Sequence, residues 1–350
     1  MVGARLAQRA VLASAVGPLA SCGTTTLDAT DRVEDAQVVP SAPVSDTFTV
    51  SGRFLHDRCG QQVVLRGVNE MVVWSEGQDG VPEFVEIAKT GANAVRITWT
   101  SEDPVPALSA AISNALDAGL IPLVELHDGQ GDWSRLPRLV DFWASAETVA
   151  MVATHEHALL VGIGSGVGGE VDGADWEAGY VAALERLRGA GIRTPIVIDA
   201  PSYGQDIQRL LASGPTIRAA DPLDNVLFGV GVWSPEVATA CVSDAFGEAV
   251  ALELPLIVTE FSAYDSNACP EQTIDYTTLL AAMREHEIGW FAWSWGGVSN
   301  GGCETLNMTT DGTLAGLVGW GYDVALGDPN GISSTAVRPA SIAAGTCLGR

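Results

Sequence analysis

Hydrophobic and polar positions alternate in a regular long-range pattern after Phe48. Short apolar runs of strand length are separated by amphipathic stretches of helical period. Eight such runs predict strands over residues 64–69, 94–99, 121–127, 159–165, 195–200, 226–233, 256–260 and 289–295. The intervening stretches predict helices over residues 84–90, 105–118, 136–155, 176–190, 205–212, 245–253 and 274–286.

This alternation predicts an α/β protein built as a single (β/α)8 TIM barrel. Near-continuous apolar runs, each followed by a helix, are typical of parallel strands buried on both faces. A doubly wound open sheet is the alternative, but no G-x-G-x-x-G motif opens the first helix. Residues 54–57 and 62–65 flank a Cys59-Gly60 turn and predict a short β-hairpin ahead of the barrel.

The start of the chain has the pattern of an export signal. Arg5 and Arg9 precede a short apolar segment that is too short to span a bilayer, and the segment ends in Leu19-Ala20-Ser21-Cys22. This resembles a bacterial lipobox, so we expect residues 1–22 to be a signal peptide and Cys22 to be lipidated. An ordinary cleaved signal is the alternative, which would give a secreted protein instead of a lipoprotein at the cell envelope.

The remaining chain divides into two parts. Residues 23–46 are rich in Gly, Thr, Ser, Pro and Asp and predict a flexible tether. Residues 47–350 form the predicted barrel domain. We expect a monomer whose contact with a membrane is limited to the lipid anchor.

Charge and cysteine content narrow the possible partners. The net charge of −25 opposes binding to phosphate backbones, so nucleic acid is not expected as a partner. The cysteine spacings match no zinc pattern, and we predict no metal site and no cofactor. After Cys22, five cysteines remain, an odd number; Cys269 and Cys303 both follow strand ends at the rim and are predicted to pair.

Candidate chemistry lies where the predicted strands end, since active sites of TIM barrels form there. Glu260 ends the seventh strand, Arg96 lies in the second, and Trp233 and Trp293 lie at the ends of the sixth and eighth. Carboxylates handle glycosidic bonds and aromatic faces pack on sugar rings, so this combination indicates a carbohydrate site.

Five segments resemble glycoside hydrolase family 5, most closely its bacterial mannanase-like branch. They are residues 64–69 (VLRGVN), 87–97 (IAKTGANAVRI), 124–128 (VELHD), 257–261 (IVTEF) and 289–295 (GWFAWSW). The resemblance implies a retaining hydrolase acting on a β-linked poly- or oligosaccharide. It implies that Glu260 is the nucleophile, that Arg96 keeps it ionised, and that Trp293 lies under the reacting sugar.

Two departures from the family pattern concern the catalytic residues. The family ends its fourth strand with Asn-Glu, where the Glu is the acid/base, but this chain has Ser165 and Gly166 there. The family's His and Tyr near the end of strand six are Gly231 and Trp233. Loss of general acid catalysis costs ~10²–10⁴ in rate, so we predict an impaired enzyme.

Two other acids are the main candidates for a relocated acid/base, and Asp172 and Asp175 are more distant ones. Glu170 lies on the glycine-rich loop after Gly166, and Glu70 follows strand one in place of the family's His. Glu170 as a solvent-facing loop carboxylate is the simpler interpretation. His127 and Asp128 either bind substrate or form a hydrogen-bonded pair in the barrel. Glu125 lies inside the third strand and by alternation points away from Asp128, so we expect it to be a buried structural acid.

Two hypotheses therefore remain. The first is a degenerate family 5 barrel that binds a β-linked glycan without ordinary hydrolysis. The second is an active retaining hydrolase of mannanase or cellulase type that uses Glu170 or Glu70 as the acid/base. The sequence does not name the sugar.

Overall fold

The computed structural model describes residues 42–235 and 240–347. The predicted signal peptide, Cys22 and most of the predicted tether lie outside these described residues. The side chain of Cys241 also lies outside them.

Eight parallel strands close into a barrel, which confirms the predicted (β/α)8 fold. The barrel strands are β4 (Arg66–Glu70), β5 (Ala94–Trp99), β6 (Ile121–Leu126), β7 (Leu160–Gly162), β8 (Ile196–Asp199), β9 (Val226–Val232), β10 (Leu256–Phe261) and β11 (Gly289–Ala292). Around the barrel, their order is β10-β11-β4-β5-β6-β7-β8-β9.

Helices surround the barrel and follow the predicted alternation. They are α1 (Glu83–Ala88), α2 (Val105–Asp117), α3 (Leu136–Trp143), α4 (Ala146–His155), α5 (Gly173–Gly189), α6 (Pro201–Gly204), α7 (Ile207–Ala220), α8 (Ala240–Ala251), α9 (Tyr276–Glu285), α10 (Gly319–Tyr322), α11 (Ile332–Thr335) and α12 (Ala340–Ala343). No helix in the described part of the chain is long and apolar enough to cross a membrane.

The predicted helix over 136–155 is two helices, α3 and α4. The break occurs at Ser145, which has an extended backbone and whose side chain accepts a hydrogen bond from the backbone N–H of Thr148. Serine satisfies otherwise unpaired N–H groups at a helix start, so it favours a new helix over continuation of the old one.

A small antiparallel sheet closes the bottom of the barrel. It comprises β1 (Thr49–Ser51), β2 (Phe54–His56) and β3 (Gln62–Val63). The β2–β3 pair is the predicted hairpin, with Leu55 opposite Val63. Leu55 and Val63 pack in one buried cluster with Leu123 and Ile257 from the barrel interior. The floor of the barrel is therefore apolar, which leaves the opposite end for polar chemistry.

Strand alternation places polar residues above this floor. In β5, Val95 and Ile97 pack outward against the helices, whereas Ala94 joins the interior floor. By the two-residue period Arg96 also points inward, one layer above Ala94. The charged residue therefore lies in the barrel's interior near the carboxyl ends of the strands.

Two disulfides link distant parts of the described chain. Cys269 pairs with Cys303, with their Cα atoms 6.0 Å apart, which confirms the predicted pair. Cys59 pairs with Cys347, and their Cα atoms are 5.4 Å apart. The second bridge ties the hairpin under the barrel to the end of the chain.

Candidate active site

Glu260 enters the barrel through an irregularity in β10. Pairing between β10 and β9 shifts register between Val258 and Glu260. Val258 packs outward with the helices, whereas the Thr259 side chain lies against Gly229 inside the barrel and Glu260 binds the interior Arg96. An extra residue in a strand re-aims the side chains after it. The bulge thus directs two consecutive residues of β10 inward.

Three donors hold the two oxygens of Glu260. Arg96 Nη1 donates to Oε1 at 2.7 Å, and the Ser165 hydroxyl donates to the same oxygen at 3.1 Å. Trp233 Nε1 donates to Oε2 at 3.0 Å. The carboxylate is buried and fixed in orientation, as a nucleophile requires.

Arg96 is the shared counter-ion of the site. Its Nη1 donates to the Asn69 side-chain oxygen at 2.7 Å, and its Nη2 lies 3.5 Å from both Glu125 Oε2 and Asp199 Oδ2. Burial acts to lower the pKa of Arg96, but the carboxylates of Glu125, Glu260 and Asp199 outweigh burial and raise it. A permanent positive charge therefore lies among three acids.

Glu125 and His127 form an ion-paired unit beside Arg96. His127 Nδ1 lies 3.1 Å from Glu125 Oε1. Burial acts to lower the pKa of His127, but Glu125 and then Glu260 raise it overall. Burial acts to raise the pKa of Glu125, but Arg96 and His127 lower it overall. Glu125 is buried, as the strand alternation predicts, and its ion pairs with Arg96 and His127 place it in the network around Glu260.

Asp199, at the end of β8, is the third acid on Arg96. Its Oδ2 accepts a hydrogen bond from the backbone N–H of Gly166 at 3.2 Å. Burial raises the pKa of Asp199 to about 6, with further raising by Glu260 and Glu125 and opposition from Arg96. The Asp199 carboxyl group therefore carries a proton in mildly acidic solution.

Backbone atoms of the loop after β8 fill the space beside Gly166. A Cβ atom on Gly166 would lie 2.8 Å from the Tyr203 carbonyl carbon and 2.9 Å from its oxygen. Gly166 also has φ +50°, a left-handed conformation that favours glycine. A longer residue at position 166 is thus excluded both by its neighbours and by its own backbone.

Aromatic rings line one wall of the site. His127 stacks on Trp293 with ring centroids 5.6 Å apart and planes 20° apart. Trp233 meets Trp293 edge-on at 6.2 Å, and Trp74 meets His127 edge-on at 5.7 Å. The Trp74 side chain is 48% exposed, so the wall extends from the buried acids to the surface.

Three of the predicted or considered acids lie away from this cluster. Asp128 accepts hydrogen bonds from the Ser101 backbone N–H and hydroxyl, at 2.9 and 2.5 Å, and so ties two loops together. Glu170 is exposed on its loop. Glu70 alternates with the outward-packed Val68, and burial followed by the charge of Glu83 raises its pKa well above the usual range.

Ligand atoms of Glu125, His127 and Glu260 lie within 4.8 Å of one another, which is close enough to share a metal ion. Arg96 already contacts both carboxylates, at 3.5 Å for Glu125 and 2.7 Å for Glu260. A cation bound there would face the guanidinium charge, so the geometry fits an ion-pair network better than a metal site.

Most of this barrel matches a known protein family. The family model described as cellulase, glycosyl hydrolase family 5, matches residues 57–299. The chain belongs to glycoside hydrolase family 5. Its family and relatives indicate a glycoside hydrolase that acts on O-glycosyl bonds.

Relatives of this family 5 protein include mannan endo-1,4-beta-mannosidases. The enzyme of Salipaludibacillus agaradhaerens is 29% identical over 84% of this chain and 95% of that enzyme. The enzyme of Streptomyces lividans is 29% identical over 82% of this chain and 75% of that enzyme. The mannotriose complex of the Thermomonospora fusca beta-mannanase superposes with a TM-score of 0.77 at 27% identity, over 85% of this chain and 99% of that structure.

The barrel brings together most of the predicted site residues and adds others. Arg96, His127, Ser165, Trp233 and Trp293 all lie within the network around Glu260. Asp199 and Asn69 were not predicted as site residues. A signal was available, because Asp199 is the last residue but one of the strand predicted over 195–200, and active sites of TIM barrels form at strand ends.

The raised pKa of Asp199 predicts a pH-dependent stability. Its ordinary value is 3.8, and the folded value is about 6, so the folded state binds this proton more tightly. The resulting stabilisation is complete below pH 3.8 and is lost as the pH rises through 6. The quantity to compare is the free energy of unfolding of the wild type minus that of Asp199→Asn. We expect this difference to be larger at acidic pH than at neutral pH by roughly 1–3 kcal/mol. Urea unfolding across this range checks it; a pH-independent difference would contradict the shift.

Restoring an acid at position 166 is predicted to fail. We expect Gly166→Glu to lose roughly 2–5 kcal/mol of unfolding free energy, because backbone strain adds to overlap with Tyr203. Gly52→Glu is the matched control: Gly52 also has a left-handed φ, +57°, but a Cβ there meets nothing within 4 Å. The two variants should differ in urea midpoint, and Gly166→Glu should not gain hydrolysis. Equal midpoints would show that the space beside Gly166 is adaptable.

Proposed function

We propose that the protein binds a β-1,4-linked mannan-type chain at the strand ends and hydrolyses it slowly. The observation that carries this proposal is a buried carboxylate held by three hydrogen-bond donors, next to a glycine at the acid/base position. Glu260 is held by Arg96, Ser165 and Trp233, while Gly166 offers no side chain.

Support for glycan binding comes from the aromatic wall and its relation to the acids. Trp293 and Trp74 are on either side of His127, and the wall runs outward from Glu260. Sugar rings present apolar C–H faces that pack on such surfaces, while their hydroxyls pair with carboxylates and His. The similarity to mannan endo-1,4-beta-mannosidases supports mannan, among the β-linked chains, as the ligand of this protein.

Support for slow hydrolysis comes from position 166. A retaining enzyme needs a proton donor ~5 Å from its nucleophile. Glu170 is exposed on its loop, and Glu70 points to the outer face of β4. Neither location favours either residue as a substitute donor.

Retention on insoluble polysaccharide tests the binding. We expect retention on mannan and weaker retention on cellulose, together with a rise in melting temperature with mannohexaose. Trp293→Ala should weaken retention ~10-fold, since stacked aromatic contacts contribute about 1–1.5 kcal/mol. Trp320→Ala is the control, because Trp320 packs away from this wall against Tyr276. Equal retention of all three proteins, or none by the wild type, would contradict mannan binding.

We also propose that the protein is exported and anchored through a lipid on Cys22, as a monomer. The Leu-Ala-Ser-Cys sequence after a short apolar segment supports this. Cys22→Ser should move the protein from the detergent phase to the aqueous phase in Triton X-114 partitioning of cells. Unchanged partitioning would contradict the anchor.

A further inference from the structure

The residue at the family's acid/base position, Gly166, has no side chain, but a carboxylate contacts its backbone. Asp199 Oδ2 accepts a hydrogen bond from the backbone N–H of Gly166. We propose that Asp199 is the proton donor of this barrel, acting from strand β8 in place of the missing side chain on the neighbouring strand β7. This inference rests on the proposed function and assigns its acid/base.

A glycine in the neighbouring strand leaves space for the Asp199 side chain. A Cβ on Gly229 of β9 would lie 2.1 Å from Asp199 Oδ1, so any other residue there would displace the carboxyl group. The short α6 segment after Asp199 is not a regular helix, since Ser202 and Tyr203 both have left-handed backbones, with φ 57° and 58°. Strain of this kind persists only where the surroundings impose it and is common at functional sites.

Asp199 and Glu260 face the same chamber. They contact the two amino nitrogens of one guanidinium, Arg96 Nη2 and Nη1, at 3.5 and 2.7 Å. Both carboxyl groups are therefore held by one planar fork of donors, and the proposed retaining reaction needs a separation of ~5 Å between them. The two side chains are similarly exposed, 6% for Asp199 and 7% for Glu260.

The protonation of Asp199 fits a general acid. Its pKa is raised to about 6, mainly by burial, so the carboxyl group carries a proton in mildly acidic solution. Glu260 and Glu125 raise it further, while Arg96 opposes them. A donor that is protonated near the working pH and ionises once its proton has been transferred is what general acid catalysis requires.

With Asp199 as the acid/base, hydrolysis takes two steps. A Glu260 oxygen bonds to the anomeric carbon as the glycosidic C–O bond breaks, and the leaving oxygen takes the proton of Asp199. A water oxygen then bonds to the anomeric carbon, its proton passes to the Asp199 carboxylate, and the ester bond to Glu260 breaks. Both carboxyl groups return to their starting states, and no further reactant is needed.

A pair of aryl β-mannobiosides tests this assignment. Dinitrophenol leaves without a proton, whereas unsubstituted phenol needs one. We expect Asp199→Asn to lower phenol release at least ~10² times more than dinitrophenol release. Wild-type phenol release should fall as the pH rises through about 6, and this limb should vanish in the variant. Added azide should accelerate dinitrophenol turnover by Asp199→Ala, since azide attacks the glycosyl-enzyme without a base.

Glu125→Gln is the matched control. It removes one carboxylate charge from the same Arg96 nitrogen, so a merely electrostatic or structural role of Asp199 would give the same result in both variants. We expect Glu125→Gln to affect the two substrates equally and to show no azide effect. Melting temperatures establish that each variant is folded.

The failures are distinguishable. Equal loss of activity on both substrates in Asp199→Asn, together with no azide rescue of Asp199→Ala, overturns the donor while leaving slow hydrolysis in place. No release of either phenol by the wild type overturns the donor and hydrolysis together; retention on mannan then still supports binding. Loss of that retention as well overturns the proposed function itself.

Discussion

Glu260→Ala should abolish release of dinitrophenol from an aryl β-mannobioside, with a fall of at least ~10³-fold in kcat/KM. The reason is geometric. The three donors to Glu260 position one carboxylate among the strand ends, and attack by that carboxylate forms the only covalent intermediate of a retaining mechanism. A stopped assay of the initial burst measures the change.

Glu170→Ala is the control for this result. Glu170 is also a glutamate of a loop at a strand end, but it is exposed. We expect its removal to leave the burst within twofold of the wild type. Retained release in Glu260→Ala, or a comparable loss in Glu170→Ala, would mean that the nucleophile is not Glu260.

Arg96→Met is predicted to have the largest effect on stability. It removes the guanidinium that contacts Glu125, Asp199 and Glu260, and leaves these buried acids facing one another. Breaking a buried ion pair by removing one partner costs about 3–5 kcal/mol. We expect a loss of that size in urea unfolding at pH 7. The loss should be smaller at pH 5, because Asp199 takes up a proton as the pH falls below about 6.

Arg186→Met separates this effect from the general loss of an arginine. Arg186 pairs with Asp141 at 2.8 Å, but both side chains are more than half exposed. Exposed pairs contribute little, so we expect a change within about 1 kcal/mol at either pH. Similar losses in the two variants, or a loss in Arg96→Met that grows at low pH, would contradict the assigned role of Arg96.

The barrel could be predicted because its signals are local. Apolar strand runs and amphipathic helices repeat along the chain, and each prediction needed only neighbouring residues. Two helix predictions departed from the structure. In the 136–155 segment one side-chain cap at Ser145 outweighed a continuous helical pattern, and the helix predicted over 205–212 continues to Ala220 as α7. The rest of the site prediction had a similar limit, since spacing along the chain does not report which interior side chains share a partner.

Asp199 illustrates that limit. The sequence places it near the end of a predicted strand, but its importance depends on contacts with Arg96 and Gly166, which lie 103 and 33 residues away. Glu125 shows the same limit. Alternation predicts that it is buried, and it is, but its ion pairs with Arg96 and His127 could not be inferred from the spacing of residues along the strand.

The sequence by itself determined the fold and the family, and it predicted that Glu260 is the nucleophile and that Gly166 stands at the acid/base position. Those features rest on periodicity and on motifs whose residues are contiguous. Only the tertiary structure decided what occupies the resulting space: the Tyr203 backbone fills it, and the Asp199 carboxyl group lies beside it on a shared guanidinium. Closing the barrel brings the ends of β7, β8 and β10 to one rim, and the pKa of each acid there depends on neighbours that are distant in the chain.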